Sequence, residues 1–301
     1  MTLGWLLEGD PAIRWQALRD LAAAPEKEVE AERARVATEG WGAALLARQS
    51  ADGQWGGDRT IQEWTASPEW HALMSLMQLR ELGLDPQSPE ARRAVELTAA
   101  NVTWHWWDDN PFFVGEVEPC INGSVVAIGA YFGQDVSGLV ERLLGEQMAD
   151  GGWNCEQENG SVRGSFGTTI NVLEGLLQYE RATGGSDTLR DARRRGEEFL
   201  LERRLMRRLS TGEIADPAFT QLAYPYSWHY DVLRALDHLR AAGMEDARAA
   251  EAVALVRQKR GADGRWVLEV RHDDVVDFDM GERVGEPSRW ITLHAMRALS
   301  D

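Results

Sequence analysis

The sequence predicts an all-α fold in which helical hairpins close into a ring, an (α/α)6-type barrel or α/α toroid. A short signature ending in Asp-Gly-x-Trp occurs three times, at residues 51–55, 149–153 and 262–266. Each copy lies between two amphipathic helical segments, and further helical segments of similar size fill the intervals. Residues 266–276 are the one candidate strand, a short hairpin arm. Units of this kind bury their apolar faces only against neighbouring units, so they must stack.

Apolar residues recur every three or four positions in these segments, as at Leu73 and Leu76, and small or polar residues suited to N-caps open them. The pattern predicts eleven helices, at 11–23, 26–48, 65–82, 88–100, 119–132, 136–148, 166–183, 187–205, 226–242, 246–259 and 288–299. Alternate members make six inner and five outer helices. The segment around Trp5 to Leu7 is the candidate for the missing outer piece, so residues 1–301 are predicted to form a single toroid domain.

Composition excludes several classes of partner. The chain of 301 residues has 32 Lys and Arg against 49 Asp and Glu, a net charge of -17, which repels nucleic acid and anionic membrane surfaces. No apolar run reaches the roughly 18 residues of a transmembrane helix, and the first residues lack the positive segment of a signal peptide. Two cysteines, Cys120 and Cys155, do not make a disulfide framework. We therefore expect a cytosolic protein, and the sequence leaves open whether it has a protein partner.

Aromatic residues cluster at two places. Residues 104–113 hold five aromatic side chains and two acids just before a predicted inner helix, and residues 224–230 open another. If both clusters lie at one end of the ring, their side chains can bind an apolar chain, a carbocation or a sugar. The candidate substrate-binding residues are Trp104, Trp106, Trp107, Phe113, Tyr226 and Trp228. The alternative is that both clusters plug the end of the ring with apolar bulk.

Four residues in or near these clusters are candidate acids or bases: Asp108, Asp109, Glu118 and His229. Carboxyl and imidazole groups transfer protons near neutral pH when their surroundings shift the pKa. For His229, a hydrogen-bonded core histidine is the alternative.

The repeated turns carry a second feature. Gln49 and Gln147 stand six residues before Trp55 and Trp153, whereas the third copy has Arg260 in that place. This arrangement resembles the Gln-Trp repeat of squalene-hopene cyclases, in the superfamily of terpenoid cyclases and protein prenyltransferases. The resemblance implies an α/α toroid in which the Gln and Trp side chains tie outer helices to the next turn.

The chain departs from the catalytic motifs that the resemblance implies. Class II terpenoid cyclases protonate their substrate from an Asp-x-Asp-Asp motif, and neither 272–274 nor 277–279 matches it. Protein prenyltransferases hold zinc through an Asp-x-Cys pair and a His at the start of the next inner helix. Here Glu118 and Cys120 form the corresponding pair, and Gly167 stands about where the His belongs.

The resemblance therefore makes zinc the candidate cofactor, with Glu118 and Cys120 as ligands. Cys155, His71 and His229 are the candidates for the missing ligand. The alternative is a protein without a cofactor, in which Cys120 is a small buried apolar residue.

These observations predict a terpenoid cyclase-like or prenyltransferase-like protein whose aromatic-lined central cavity binds an apolar or isoprenoid small molecule. Whether it is an enzyme stays open. An enzyme of this kind would be a lyase, an isomerase or a transferase. Two alternatives remain: a non-catalytic binding or scaffold protein that kept the fold, and a carbohydrate-active enzyme with paired carboxylates at the mouth of the ring.

Overall fold

The computed structural model describes residues 2–57, 63–272, 274 and 278–300, so Asp273 and Asp277 lie outside the described residues. Within these ranges the α-helices are α1 Thr2–Leu7, α2 Pro11–Asp20, α3 Glu26–Ala34, α4 Gly40–Leu46, α5 Pro68–Leu82, α6 Pro89–Asn101, α7 Pro119–Tyr131, α8 Ser137–Gly145, α9 Phe166–Thr183, α10 Asp187–Glu202, α11 Val232–Ala241, α12 Ala250–Gln258 and α13 Arg289–Leu299. Strands β1 Thr103–Trp104 and β2 Asn110–Pro111 pair antiparallel. None of the described helices is both long and apolar enough to cross a membrane.

Helices α2, α5, α7, α9, α11 and α13 form the inner ring. The last five contact one another in chain order, and α13 packs on α2. Between α2 and α5, the side chains of Trp15 and Gln16 donate hydrogen bonds to the carbonyls of Leu82 and Glu81, at 2.9 and 3.0 Å. The inner helices therefore form a closed circle, which confirms the predicted all-α toroid.

The remaining helices pack on the outside of this ring, with α3 against α2, α8 against α7, α10 against α9 and α12 against α11. Helix α1 lies beside the third Asp-Gly turn, where the Thr2 hydroxyl donates to the carbonyl of Gly264 at 3.3 Å. Arg289 of α13 donates to the carbonyl of Trp5 at 3.2 Å. The first helix thus occupies the outer position that the eleven predicted helices left unfilled.

The three Asp-Gly-Trp turns share one hydrogen bond. The indole Nε1 atoms of Trp55, Trp153 and Trp266 each donate to the main-chain carbonyl ten residues earlier, at 2.7 to 3.0 Å. All three indoles are buried. Each turn is therefore fastened to the outer helix that precedes it.

The glutamines of the first two turns connect successive outer helices. The Nε2 atom of Gln49 donates to Gly53 in its own turn and to Ala94 in α6, at 3.0 and 2.9 Å. Gln147 makes the same pair of bonds within its turn and to α10, both at 2.7 Å. Arg260, which replaces the glutamine in the third turn, bonds to its own turn at 3.3 Å and stacks over Trp266.

The predicted helix 26–48 is broken into α3, a 3-10 turn at Arg35–Ala37 and α4. Gly40, the first residue of α4, adopts a left-handed φ of 65°, which the interior of one continuous α-helix does not accommodate. The carboxylate of Asp10, which caps α2, also accepts the main-chain N–H of Trp41 at 2.8 Å. The carboxylate of Asp10 thus accepts main-chain N–H groups at the starts of both α2 and α4. The predicted helix is therefore interrupted just before α4.

The predicted helix 226–242 begins six residues late, at Val232. Asp231 is its N-cap, and its carboxylate accepts the N–H of Arg234 at 2.8 Å and that of Ala223 at 3.0 Å. Ser227 has a left-handed φ of 50° and lies in the irregular segment before this cap. The second aromatic cluster is therefore mostly a loop.

The predicted hairpin arm at 266–276 forms isolated bridges at Val267, Leu268 and Val270 among its described residues, and 273 and 275–277 lie outside them. In the described part of the chain, the two strands that pair into a regular sheet occur instead at the first aromatic cluster, within residues 103–111.

The interior of the ring is filled between its two ends. Helices α7 and α9 approach so closely that a Cβ on Gly123 would lie 2.7 Å from the main chain of Asn171. The Oδ1 atom of Asn171 accepts hydrogen bonds from Ser124 at 3.1 Å and from Arg234 at 3.0 Å. This polar layer separates a cavity at one end of the ring from a cavity at the other.

Candidate functional site

The first cavity lies where the inner helices begin and has a volume of ≈ 870 Å³. First-turn residues of three inner helices, Trp70, Cys120 and Phe166, contribute to its wall. Residues of the loops at 154–155, 215–223 and 228–230 also line it, together with His272 and Asp274. We call it the aromatic cavity. Its aromatic lining consists of Trp64, Trp70, Phe166, Phe219, Trp228 and Tyr230, and its acids, thiols and imidazoles are Glu118, Cys120, Cys155, Asp216, His229, His272 and Asp274.

One wall of the aromatic cavity carries a thiol cluster of Glu118, Cys120 and Cys155. The Cys120 sulfur lies 3.4 Å from the Glu118 carboxylate and 2.9 Å from the Cys155 sulfur, and both cysteines are reduced. The hydrogen bond to Cys155, together with burial, raises the pKa of the Cys120 thiol well above its ordinary value. Three donor atoms lie within 4.8 Å of one another, and sulfur and carboxylate oxygen are ligands that zinc prefers.

Local sequence brings Cys155 to this wall from 35 residues away. The carbonyl of Trp153, at the end of the second Asp-Gly turn, accepts the N–H of Ser165 at 2.8 Å. Asn154 caps the 3-10 turn that begins at Cys155, and Ser165 caps α9. The Cys155 sulfur then lies 3.3 Å from the hydroxyl of Thr168. The turn is therefore locked to the helix start that faces the cavity.

A second wall carries an imidazole cluster of His229, His272 and Asp274. The His229 Nε2 atom lies 3.2 Å from a carboxylate oxygen of Asp274, and the Ser227 hydroxyl donates to the other oxygen at 3.1 Å. Burial alone would raise the pKa of Asp274, but the interaction with His229, supported by Ser227 and His272, holds it below its usual value. Asp274 is therefore an ionised partner for His229.

Ring stacking and main-chain bonds fix the orientation of His229. Its ring stacks with those of Trp228 and His272, at centroid distances of 4.0 and 3.6 Å. Asn171 donates to the carbonyl of Trp228 at 2.9 Å, and Arg234 donates to that of His229. The polar layer inside the ring thus supports the imidazole that faces the cavity.

The first aromatic cluster lies beside the aromatic cavity. Trp104 is fully buried and stacks on Trp64, so it backs the wall without lining the cavity. The exposed fractions of Trp106 and Trp107 are 39% and 40%. Asp108, next to them, is at the tip of the β1–β2 hairpin with a left-handed φ of 50°. Within the described part of the chain, none of these predicted residues lines either cavity.

The other predicted residues separate into two groups. Asp109 is also exposed at the hairpin tip, Phe113 packs against the apolar core, and Tyr226 lines the opposite cavity. Glu118, Cys120, Trp228 and His229 come together around the aromatic cavity. Of the three candidates for the missing zinc ligand, the structure brings Cys155 to this pair, while His229 belongs to the imidazole cluster.

Sequence reasoning missed several residues of the aromatic cavity. Trp70 and Phe166 carry a signal, since each lies in the first turn of an inner helix and all such turns meet at one end of the ring. His272 and Asp274 were considered only for an Asp-rich motif. Their meeting with His229 depends on how a loop folds back, which no local pattern encodes.

The second cavity lies where the inner helices end, with a volume of ≈ 750 Å³, and shares no described lining residue with the first. We call it the arginine cavity. Its charged lining residues are Arg19, Asp20, Arg33, Arg80, Glu81, Glu174, Arg181, Arg234, Asp237, Arg240 and Arg297.

The chain matches no protein-family profile and no curated protein. A search of solved structures finds similarity to the type II terpene cyclase MstE from Scytonema, in its apo form. The sequence identity is 17%, the TM-score is 0.46, and the match covers 97% of this chain and 87% of that chain. This likeness concerns the fold alone.

Proposed function

We propose that the aromatic cavity binds an apolar or isoprenoid small molecule and that His229, oriented by Asp274, moves a proton there. The observation that carries the proposal is the division of the lining: six aromatic side chains surround the space, and its reactive groups are concentrated in two clusters. The volume of ≈ 870 Å³ falls within the roughly 300–1,000 Å³ of small-molecule sites.

Aromatic faces suit such a ligand for two reasons. They bury apolar chain without leaving unpaired polar groups, and their negative faces stabilise positive charge that develops during isoprenoid reactions. Trp228 is 47% exposed although it stacks on His229, so its ring is available to a ligand beside the imidazole.

His229 has the geometry of an acid–base group. A carboxylate on one ring nitrogen fixes the tautomer and stabilises the protonated ring, which leaves the other nitrogen to exchange a proton with a ligand. The hydrogen bond to Asp274 supplies that carboxylate. Asp108 and Asp109 lie on the hairpin, outside the cavity lining, and have no part in this proposal.

The thiol cluster suits a soft divalent cation such as zinc, held by Glu118, Cys120 and Cys155. These three donors leave the fourth position of a tetrahedral site for a ligand. A cation bound there would keep the sulfurs deprotonated and would polarise a ligand's polar end. The Thr168 hydroxyl supports the Cys155 sulfur from behind.

Ligand binding is tested by titrating the protein with geranylgeraniol, followed by tryptophan fluorescence. Trp228→Ala should weaken binding by about tenfold, because a ring face is lost from the cavity. Trp107→Ala is the matched control, since its exposed fraction of 40% is close to the 47% of Trp228 but it lies outside the cavity. Equal losses in both variants, or no binding to the wild type, would contradict the proposal.

Turnover is tested by incubating the protein with squalene and with prenyl diphosphates and analysing products by mass spectrometry. His229→Gln should keep geranylgeraniol binding and lose product. If the wild type binds but forms no product, the proton-transfer step is wrong and a binding protein remains.

Metal binding is tested by elemental analysis after purification with zinc. The wild type should carry one equivalent, and Cys155→Ser should lose it because a thiolate ligand is removed. His272→Ala, in the other cluster, should retain the zinc. Loss of zinc in His272→Ala but not in Cys155→Ser would place the metal in the imidazole cluster. A wild type without zinc would contradict the metal site and leave the proposal on ligand binding intact.

A further inference from the structure

We propose that the arginine cavity is a second binding site, which takes a small multivalent anion of the diphosphate type. This cavity lies at the opposite end of the ring from the aromatic cavity and shares no described lining residue with it. The inference therefore does not depend on the proposed function.

The charge of this cavity opposes that of the whole chain. Seven arginines and four carboxylates line it among the described residues, whereas the chain has a net charge of -17. Clustered cations repel one another unless anions neutralise them, so an excess of arginine in a cavity of an acidic protein indicates an anionic ligand. The same net charge disfavours nucleic acid, which leaves a small molecule.

The carboxylates of the cavity are already committed to particular arginines. Arg234 holds Glu174 through two bonds, at 2.8 and 2.9 Å. Asp237 accepts from the Nε atom of Arg297 at 2.6 Å. These ion pairs connect successive inner helices, and in each pair the carboxylate neutralises the charge of its arginine.

Three arginines of the cavity, Arg33, Arg181 and Arg240, form no ion pair within the described ranges. Each donates to a main-chain carbonyl at the end of an inner helix or just after it. Arg33 donates to Gly83 at 2.9 Å, and the other two donate to Ala241 and Ser300.

Helix capping accounts for only part of this arrangement. A guanidinium has five N–H donors in a planar fork that matches two phosphate oxygens at once. The described bonds of Arg181 and Arg240 use one nitrogen each, so most of each fork is available to a ligand. Capping explains why a cation stands at a helix end, but it does not explain why the uncompensated cations share one cavity.

The electrostatics of Arg181 agree with this interpretation. Partial desolvation of its guanidinium at the cavity wall lowers its pKa below the usual value, and repulsion from Arg19, Arg193 and Arg80 lowers it further, against the attraction of Asp237. A bound anion would relieve that repulsion. Trp15 and Tyr131 add flat apolar surface beside the arginines, and the volume of ≈ 750 Å³ admits a diphosphate with an attached organic group.

The test is isothermal titration calorimetry with inorganic diphosphate at low ionic strength. The variant Arg181→Gln with Arg240→Gln should bind about tenfold or more weakly, since each change removes charge-assisted hydrogen bonds. The matched control, Arg195→Gln with Arg257→Gln, has the same net charge, and its substitutions lie on the outer helices α10 and α12, outside both cavities. It should bind within twofold of the wild type.

Three results would overturn the proposal: no diphosphate binding to the wild type at millimolar concentration, equal weakening in both double variants, or citrate binding as tight as diphosphate. Arg181→Gln alone is the second variant if the double variant does not fold, because Arg181 is an exposed residue near the end of α9. Its diphosphate affinity should fall while that of Arg195→Gln does not.

Discussion

At the scale of single residues, His294 makes the stability of the ring depend on pH. Its ring packs against Tyr224, Tyr226 and Trp290, and burial, with repulsion from Arg297, lowers its pKa to about 4. The unfolded chain takes up a proton near pH 6.5. The contribution of His294 to the free energy of unfolding is therefore fully present above pH 6.5. It is lost as the pH falls from about 6.5 to 4.

Because the unfolded chain binds this proton more tightly, the titration of His294 should lower the wild type's free energy of unfolding by about 2 kcal/mol between pH 7 and pH 5. His294→Gln removes the titrating group, so its stability should change less over the same interval, although it should be less stable at pH 7 through lost packing. Urea unfolding at the two pH values measures both. An unchanged pH dependence in the variant would contradict the assignment.

Trp153 is the residue whose role the repeat predicts most directly. It is fully buried, and its Nε1 atom donates to the carbonyl of Leu143 at 2.7 Å. Trp153→Phe removes this donor and leaves a small void, which should cost about 2–3 kcal/mol. Trp106→Phe, at a position 39% exposed, should change the stability by less than about 0.5 kcal/mol. Comparable losses in thermal unfolding would contradict a bracing role.

These residues differ in how far the sequence predicts them. Trp153 belongs to a repeated pattern, and Glu118 with Cys120 to a local motif, so each is visible in the sequence. The partnership of Cys155 with Cys120 was one option among three, because it depends on which turn lies over α9. The burial of His294 is a property of the packed ring and has no local signal.

At the scale of elements, the contact between α7 and α9 depends on glycine. A Cβ on Gly175 would overlap the carbonyl oxygen of Gly123 across the interface. Gly175→Ala should therefore cost about 2–3 kcal/mol, despite the better helix propensity of alanine.

Gly138 in α8 is the matched control, since nothing lies within 4 Å of a Cβ placed there. Gly138→Ala should leave stability unchanged or raise it by up to about 1 kcal/mol. Thermal unfolding of the two variants separates the effects, and equal melting temperatures would show that α7 and α9 are not in close contact.

Helix positions were predictable where capping and periodicity agree, as for α9, which occupies the predicted residues 166–183. The predicted helix ends were wrong where a hydrogen bond to a residue distant in sequence determines where the helix begins. Helix α11 begins at Val232 because Asp231 accepts an N–H from Ala223 as well as from its own first turn. The break before α4 depends on Asp10, about thirty residues away.

At the scale of the whole molecule, the repeat predicts a ring but does not predict what fills it. The sequence suggested one aromatic-lined central cavity. Among the described residues, the structure has two large cavities, at opposite ends of the ring, divided by a layer that includes Asn171 and Arg234. Which inner-face residues meet across the ring depends on the rotation of every inner helix, and periodicity gives only the buried face of each.

The central claim is that one closed ring presents two chemically different ends. The most direct measurement is a crystal structure of the protein grown with both geranylgeraniol and diphosphate. We expect α13 packed on α2, the alcohol beside Trp228, and the diphosphate beside Arg181, with the Asn171–Arg234 layer between them. An open arc of helices, a channel that joins the two ends, or both ligands in one cavity would contradict the account.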